Sequence, residues 1–254
     1  MHAPLAACSS FAGKFQVEKR ASRLAVQTQI EWWLADYLCP YCIQGLAAVE
    51  SPLCNCCGLP FRSSQGEDHL CGDCLRAPKY FKMARAALVY NKISTEMIHC
   101  FKYKSKTQLA EPLGALLMRT FRRFWDGHRI DVIVPVPLHI KRLMKRGFNQ
   151  AYLLIRSWQT KPDLSLLNPR DLQIERDVLV RTASTVPQIA LSRAQRGINI
   201  KNAFDIQSQD KIVDQKVLLI DDVYTTGATV NECARMLLKN GAKGVDVLTL
   251  ARAV

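Results

Sequence analysis

Hydrophobic positions in the C-terminal two-thirds of the chain fall into short unbroken runs. Residues 217–223 read VLLIDDV, residues 131–137 DVIVPVP and residues 244–254 GVDVLTLARAV. "RAALVY" from residue 85 and "DVLV" from residue 177 are similar. Runs of this length, bounded by charged or turn-forming residues, predict strands, several of them buried on both faces. Between them apolar residues recur at helical spacing, in "STEMIHCFKYK", "TQLAEPLGALLMRTFRRFW", "NQAYLLIRSW" and "TTGATVNECARMLLKNGAK". The last places Val230, Cys233, Met236 and Leu237 on one face and ends at Gly241, a helix stop. Residues 160–177 are polar and proline-bearing. Strands alternating with helices predict an α/β fold, a mostly parallel sheet with helices on both faces.

The N-terminal part has a different texture. Residues 1–21 show no period and read as a tail. Residues 22–38, "SRLAVQTQIEWWLADYL", space Leu24, Ile30, Trp33, Leu34 and Tyr37 as an amphipathic helix. Residues 39–84 are rich in Pro, Gly and Ser and carry no long apolar period, so they need a staple in place of a core. The expected organisation is a tail and helix over 1–38, a cysteine module over 39–84 and the α/β domain over 85–254.

Seven of the ten cysteines lie between Cys39 and Cys74. The N-terminus has no apolar segment of signal-peptide type, which predicts a cytoplasmic protein and favours metal over disulfides. Cys39/Cys42, Cys54/Cys57 and Cys71/Cys74 form three CxxC units, and any two of these knuckles supply the four thiolates of a tetrahedral zinc site. Such a closed site is structural rather than catalytic. Cys56 sits inside a knuckle as a bystander, and Cys8, Cys100 and Cys233 lack ligand spacing.

Composition narrows the class. At 48% hydrophobic residues the chain can build a sizeable core, which excludes global disorder. No apolar run approaches the ~20 residues that span a bilayer. The net charge of +13 is unevenly spread: residues 1–84 carry 8 basic and 7 acidic side chains, residues 85–254 carry 27 and 15. The basicity therefore belongs to the α/β part and predicts a polyanionic ligand or partner.

The most specific stretch is "VLLIDDVYTTGAT" at 217–229. Ligands of open parallel sheets sit at the carboxyl ends of strands. The run 217–220 delivers Asp221 and Asp222 to that edge, and the next residues open a helix whose N–H groups favour a phosphate. Gly227 lets the backbone approach closely, Ala228 is small, and Thr225, Thr226 and Thr229 add hydroxyls. Two carboxylates repel a phosphate unless they hold another part of the same ligand. Sugar hydroxyls and hydrated Mg²⁺ suit them. The implied ligand is a ribose 5-phosphate with free 2- and 3-hydroxyls. The stretch resembles the phosphoribosyl pyrophosphate (PRPP) signature of type I phosphoribosyltransferases, departing from it at Tyr224.

Cations for a pyrophosphate follow the strand at 131–137: "LHIKRLMKRGFNQA" holds Lys141, Arg142, Lys145 and Arg146, with Gly147 and Asn149 favouring a turn. A second basic stretch, "LSRAQRGINIKNAF", adds Arg193, Arg196 and Lys201 and reads equally as a flap or an exposed helix. The run "HCFKYKSK" offers Phe101 and Tyr103 for base stacking beside Lys102, Lys104 and Lys106, or for the core. In their order, "FKYK", "VPVP…KRGFNQA", "PQ…LSRAQRGINIKNAF" and the acid-pair loop resemble ComF-type competence proteins, over residues 39–254. That resemblance implies a type I phosphoribosyltransferase-like fold with an N-terminal zinc ribbon on Cys54, Cys57, Cys71 and Cys74. Cys39 and Cys42 remain as a relic, a partial second site or alternative partners of Cys54/Cys57. It further implies structural zinc, PRPP with Mg²⁺, incoming single-stranded DNA and partners in the competence machinery. Two functions fit: a DNA-handling protein on this scaffold, or an active phosphoribosyltransferase joining PRPP to a base or amine.

Overall fold

The computed structural model describes residues 34, 37–63, 65–104, 106–126, 130–159, 173–183 and 200–254. The tail, most of the helix expected over 22–38, and Arg193 and Arg196 lie outside the described residues. In chain order the elements are α1 (Pro40–Gln44), α2 (Gly72–Arg76), β1 (Ala84–Val89), α3 (Lys92–Tyr103), α4 (Ala110–Trp125), β2 (Val132–Pro135), α5 (Ile140–Arg146), α6 (Gln150–Ile155), β3 (Gln173–Ile174), β4 (Leu179–Arg181), β5 (Phe204–Ile206), β6 (Lys216–Tyr224), α7 (Ala228–Lys239) and β7 (Gly244–Arg252).

Five strands form one sheet in the order β1-β7-β6-β2-β3, and every neighbouring pair is parallel. Strand alternation sorts its apolar residues onto two faces. Leu218 and Ile220 of β6, Leu248 and Leu250 of β7 and Ile133 of β2 pack with α3, α4 and α6. Val217 and Leu219, Val245 and Val247, and Val132 and Val134 pack with α7, with Leu179 and Phe204 of the β4–β5 ribbon, and with the four cysteines Cys54, Cys57, Cys71 and Cys74. The expected doubly covered parallel sheet is therefore observed.

Local chemistry sets the helices. Asn91 and Ser94 exchange side-chain-to-backbone hydrogen bonds and start α3 as a capping box. Helix α4 buries Leu113, Leu116, Leu117, Phe121 and Trp125 along one side. At Gly114 a Cβ would stand 2.2 Å from the Leu154 carbonyl, so only glycine lets α4 and α6 approach this closely. Trp158 ties the same contact by donating from Nε1 to the Gly114 carbonyl at 3.2 Å.

Three readings need correction. The basic stretch after β2 is a helix, α5, capped by His139, rather than the loop that the prolines at the strand end suggest; the turn expected at Gly147 and Asn149 follows it, with Gly147 at φ +82° closing α5 and Asn149 capping α6. "DVLV" contributes to the separate antiparallel ribbon with β5, not to the main sheet. Strand β6 does not end at Ile220 but continues through both aspartates to Tyr224, because β7 pairs with it as far as Arg252.

The cysteine segment docks on the sheet through its backbone. Ala84 N–H donates to the Cys56 carbonyl at 2.7 Å, and Arg85 Nη1 donates to the carbonyls of Cys54 and Asn55. Ala48 forms a bridge to Leu88, which covers the outer edge of β1.

Candidate functional site

The sheet order creates the site. Helix α6, which follows β2, packs on one face, and α7, which follows β6, packs on the other. Adjacent parallel strands whose connections leave to opposite faces open a crevice at their carboxyl ends. The β2–β6 ladder stops at Pro135 and Ile220. Beyond it the two chains diverge around a cleft of about 510 Å³.

Asp221, Asp222, Thr225 and Thr229 line this cleft on the β6 side, and Arg142, Lys145 and Arg146 line it from α5. Lys141 is exposed and, like Thr226, Gly227 and Ala228 of the expected phosphate loop, does not line the cleft. Gly227 adopts φ +77° at the head of α7, and a Cβ there would stand 2.2 Å from the Tyr224 Oη. The position thus demands glycine twice, by backbone conformation and by space. Thr226 Oγ1 accepts the Ala228 N–H at 3.4 Å, and Gly227 O accepts from Asn231 N–H at 2.9 Å. These bonds hold the tight entry into the helix. Asn149 secures the opposite wall: its amide donates to Val136 O at 3.1 Å while its carbonyl oxygen caps α6.

The acid pair is partly neutralised from α3. Lys102 Nζ lies 2.7 Å from Asp222 Oδ1. Burial works against the Lys102 ammonium, but the Asp222 carboxylate outweighs it and raises the lysine pKa. Burial first, and the Asp222 charge second, push the Asp221 carboxyl up to about 7, against the pull of Lys102. The pair therefore carries less negative charge near neutrality than two free aspartates would, which eases the approach of an anion.

Sequence reasoning missed several lining residues. Lys102 appeared only as a phosphate contact, because its partner is 120 residues away. Gln150 lines the cleft at 2% exposure, and its Nε2 has no hydrogen-bond partner among the described residues. Arg181 and Tyr90 also line it. The aromatic run divides: Phe101 is fully buried in the core, whereas Tyr103 is half-exposed at the cleft wall with the Arg146 guanidinium 4.8 Å from its ring centre.

On the far face of the sheet Cys54, Cys57, Cys71 and Cys74 are buried together, with sulfurs all within 4.8 Å of one another. Among the described residues no other group of metal-binding side chains comes together in this way, and Cys39 and Cys42 do not join it. A zinc–sulfur bond of about 2.3 Å places tetrahedral sulfurs about 3.8 Å apart. The Cys57–Cys71 separation is 3.7 Å. Cys54 Sγ accepts the backbone N–H groups of Cys71 and Cys57 at 3.3 and 3.4 Å. Burial opposes its thiolate, but these donors prevail and bring its pKa down to about 7. The donor set thus fits a tetrahedral metal ion.

No family model matches the chain. Among solved structures, a hypoxanthine phosphoribosyltransferase from Staphylococcus aureus superposes with a TM-score of 0.31 at 17% identity, covering 57% of this chain and 62% of that one. Curated relatives are much closer. The DNA utilization protein YhgH of Escherichia coli K12 is 33% identical over 221 residues, 85% of this chain and 91% of the relative. Competence protein F of Haemophilus influenzae is 30% identical over 233 residues, 86% of this chain and 98% of the relative. Competence protein ComFC of Bacillus subtilis is 27% identical over 226 residues. At 33% and 30% identity over 85% and 86% of its length, the chain belongs to the ComF family of competence and DNA utilization proteins.

Proposed function

We propose that the protein handles single-stranded DNA in competence on a phosphoribosyltransferase-like scaffold whose cleft binds PRPP or a related phosphoribosyl compound. The observation that carries this reading is the meeting of three chemistries in one cleft: the acid pair, the threonine loop at the start of α7 and the cations of α5. In that arrangement residues 225–229 take the 5-phosphate, Asp221 and Asp222 take the ribose hydroxyls, and Arg142, Lys145 and Arg146 take the pyrophosphate. Mg²⁺ suits the same carboxylates and would share Asp222 with Lys102. The relatives' names, DNA utilization and competence protein, support the DNA part. Tyr103 and Arg146 at the cleft wall are suited to stacking a base and holding its phosphate.

Residues 39–84 then form a module stapled by structural zinc on Cys54, Cys57, Cys71 and Cys74, and residues 85–254 form the ligand-binding domain. A transfer reaction is the second reading, favoured by Gln150: its buried amide offers a donor to an acceptor seated in the cleft. Calorimetry with PRPP and Mg²⁺, with a single-stranded oligonucleotide, and with both in competition tests the proposal. Failure of PRPP to bind would remove the phosphoribosyl reading. Incubation of PRPP with candidate bases and amines, followed for pyrophosphate release, tests the second.

A further inference from the structure

Beneath the threonine loop one side chain touches both the backbone of that loop and the cysteine cluster. Arg252 ends β7 and is 7% exposed. Its Nε donates to the Cys57 carbonyl at 3.2 Å, and its Nη2 lies 3.6 Å from Cys57 Sγ. Its Nη1 donates to the Thr225 carbonyl at 3.0 Å and to Ala253 O at 2.6 Å. The guanidinium lies 4.1 Å from the centre of the Tyr224 ring. That buried ring supports Gly227 from below and meets Phe81 edge-on at 6.2 Å. A single planar cation thus joins a ligand of the metal centre to the first residue of the phosphate loop.

We propose that Arg252 is a positioning residue that couples metal occupancy of the four-cysteine centre to phosphate binding by residues 225–229. The proposal rests on the zinc and phosphoribosyl readings above. Four thiolates around a divalent cation leave a net double negative charge. A buried guanidinium 3.6 Å from one of those sulfurs is a natural counter-charge. Its forked donors fix two acceptors in one plane, which an ammonium cannot do. With metal bound, Cys57 is immobilised, Arg252 is aimed, and the Thr225 carbonyl is held in place. Phosphate then meets a loop already in its binding conformation and loses less free energy to ordering. Linkage makes the effect reciprocal: a phosphate ligand must tighten metal binding by the factor by which metal tightens phosphate binding.

The test uses the full chain with Co²⁺ in the cysteine site, where the thiolate-to-cobalt absorption bands report on the sulfurs. Ribose 5-phosphate is titrated by calorimetry, with and without metal, and by absorption. The expected result is binding about tenfold tighter with metal than without, accompanied by a shift of the cobalt bands. Arg252→Gln should abolish the shift and bring affinity down to the metal-free level. Arg252→Lys preserves the charge and guards against a folding failure; lacking the fork, it too should lose the shift while the unliganded cobalt spectrum persists. A purely structural arginine would alter thermal stability and leave the band response of a folded Arg252→Lys protein intact, which would overturn the proposal. Equal affinity with and without metal in the wild type would overturn the coupling and leave the phosphoribosyl reading standing. Absence of ribose 5-phosphate binding to the metal-loaded wild type would instead bring down that reading and the coupling together.

Discussion

At the mouth of the cleft Asp221 and Asp222 are adjacent yet electrostatically unequal. Lys102 contacts Asp222 at 2.7 Å, whereas burial and the neighbouring carboxylate raise Asp221 from the ordinary value of 3.8 to about 7. Between these values the folded chain holds a proton at Asp221 that the unfolded chain has released. Its contribution to stability is therefore full below pH 3.8 and is lost as pH rises through about 7. Asp221→Asn should raise unfolding free energy at pH 8, by up to roughly 4 kcal/mol, and change it little at pH 4. Urea melts at the two pH values check this; equal effects at both would show that the carboxyl is not strained by its surroundings. Replacing both aspartates by Ala should weaken PRPP and ribose 5-phosphate but spare inorganic phosphate. Thr226→Val should weaken all three by ~1 kcal/mol, through its lost hydroxyl and the Ala228 contact. Calorimetry on the two variants separates sugar from phosphate recognition. The chemistry of these residues was legible because it is contiguous in sequence. Lys102, Gln150 and Arg252 acquire their surroundings from elements far away in the chain, so no local pattern marked Gln150 or Arg252 or gave Lys102 its acidic partner. Phe101 and Tyr103 show the same limit: two positions apart on one helix, they face core and cleft respectively.

Among elements, those with unbroken apolar runs or full helical periods were read correctly. Strands β6 and β7 and helices α3, α4 and α7 are long enough for period to decide. The misread pieces are short. Helix α5 has seven residues and none of them is buried, so it lacks the apolar stripe by which helices are recognised. Strands β3 and β5 span two and three residues, too few to alternate visibly. The β6–α7 junction is the element on which the site depends most. Gly227→Ala places a Cβ at φ +77° and within 2.2 Å of Tyr224 Oη. The strain of this backbone region alone costs roughly 1–2 kcal/mol, and displacement of the buried ring adds to it. Thermal unfolding should show that loss, and phosphate binding should fall with it; an unchanged melting temperature would mean the loop relaxes freely. The cysteine segment makes a parallel case. Cys71→Ser removes one of four sulfurs, so zinc content should drop from about one equivalent per chain. The loss of stability should centre on residues 39–84, which carry no long apolar run of their own. Elemental analysis decides between this ligand set and one using Cys39 and Cys42, for which zinc would stay.

For the whole molecule, alternation of strands and helices was enough to reach a parallel α/β sheet, but not its strand order. The order decides where the crevice opens, and it depends on which helices cover which face, a long-range property. Charge distribution, by contrast, is a property of the entire sequence and leads to a quantitative test. If single-stranded DNA met the basic surface diffusely, many of the 27 cations of residues 85–254 would share in binding. Counterion release would then make affinity fall very steeply with salt. If the strand runs into the cleft, its contacts centre on Arg142, Lys145 and Arg146. Each phosphate neutralised on a single strand contributes about −0.7 to the slope of log affinity against log salt. Three such contacts give a slope of about −2. The double substitution Arg142→Ala and Arg146→Ala should flatten it to about −0.7, and saturating PRPP should act in the same direction by occupying the same cations. Fluorescence anisotropy of a labelled oligonucleotide across a salt series measures both effects. A steep slope that neither the substitutions nor PRPP alters would place the DNA outside the cleft, on the general basic surface. A slope near zero would exclude phosphate contacts as the basis of binding, and with them the physical meaning assigned to the charge asymmetry of this chain.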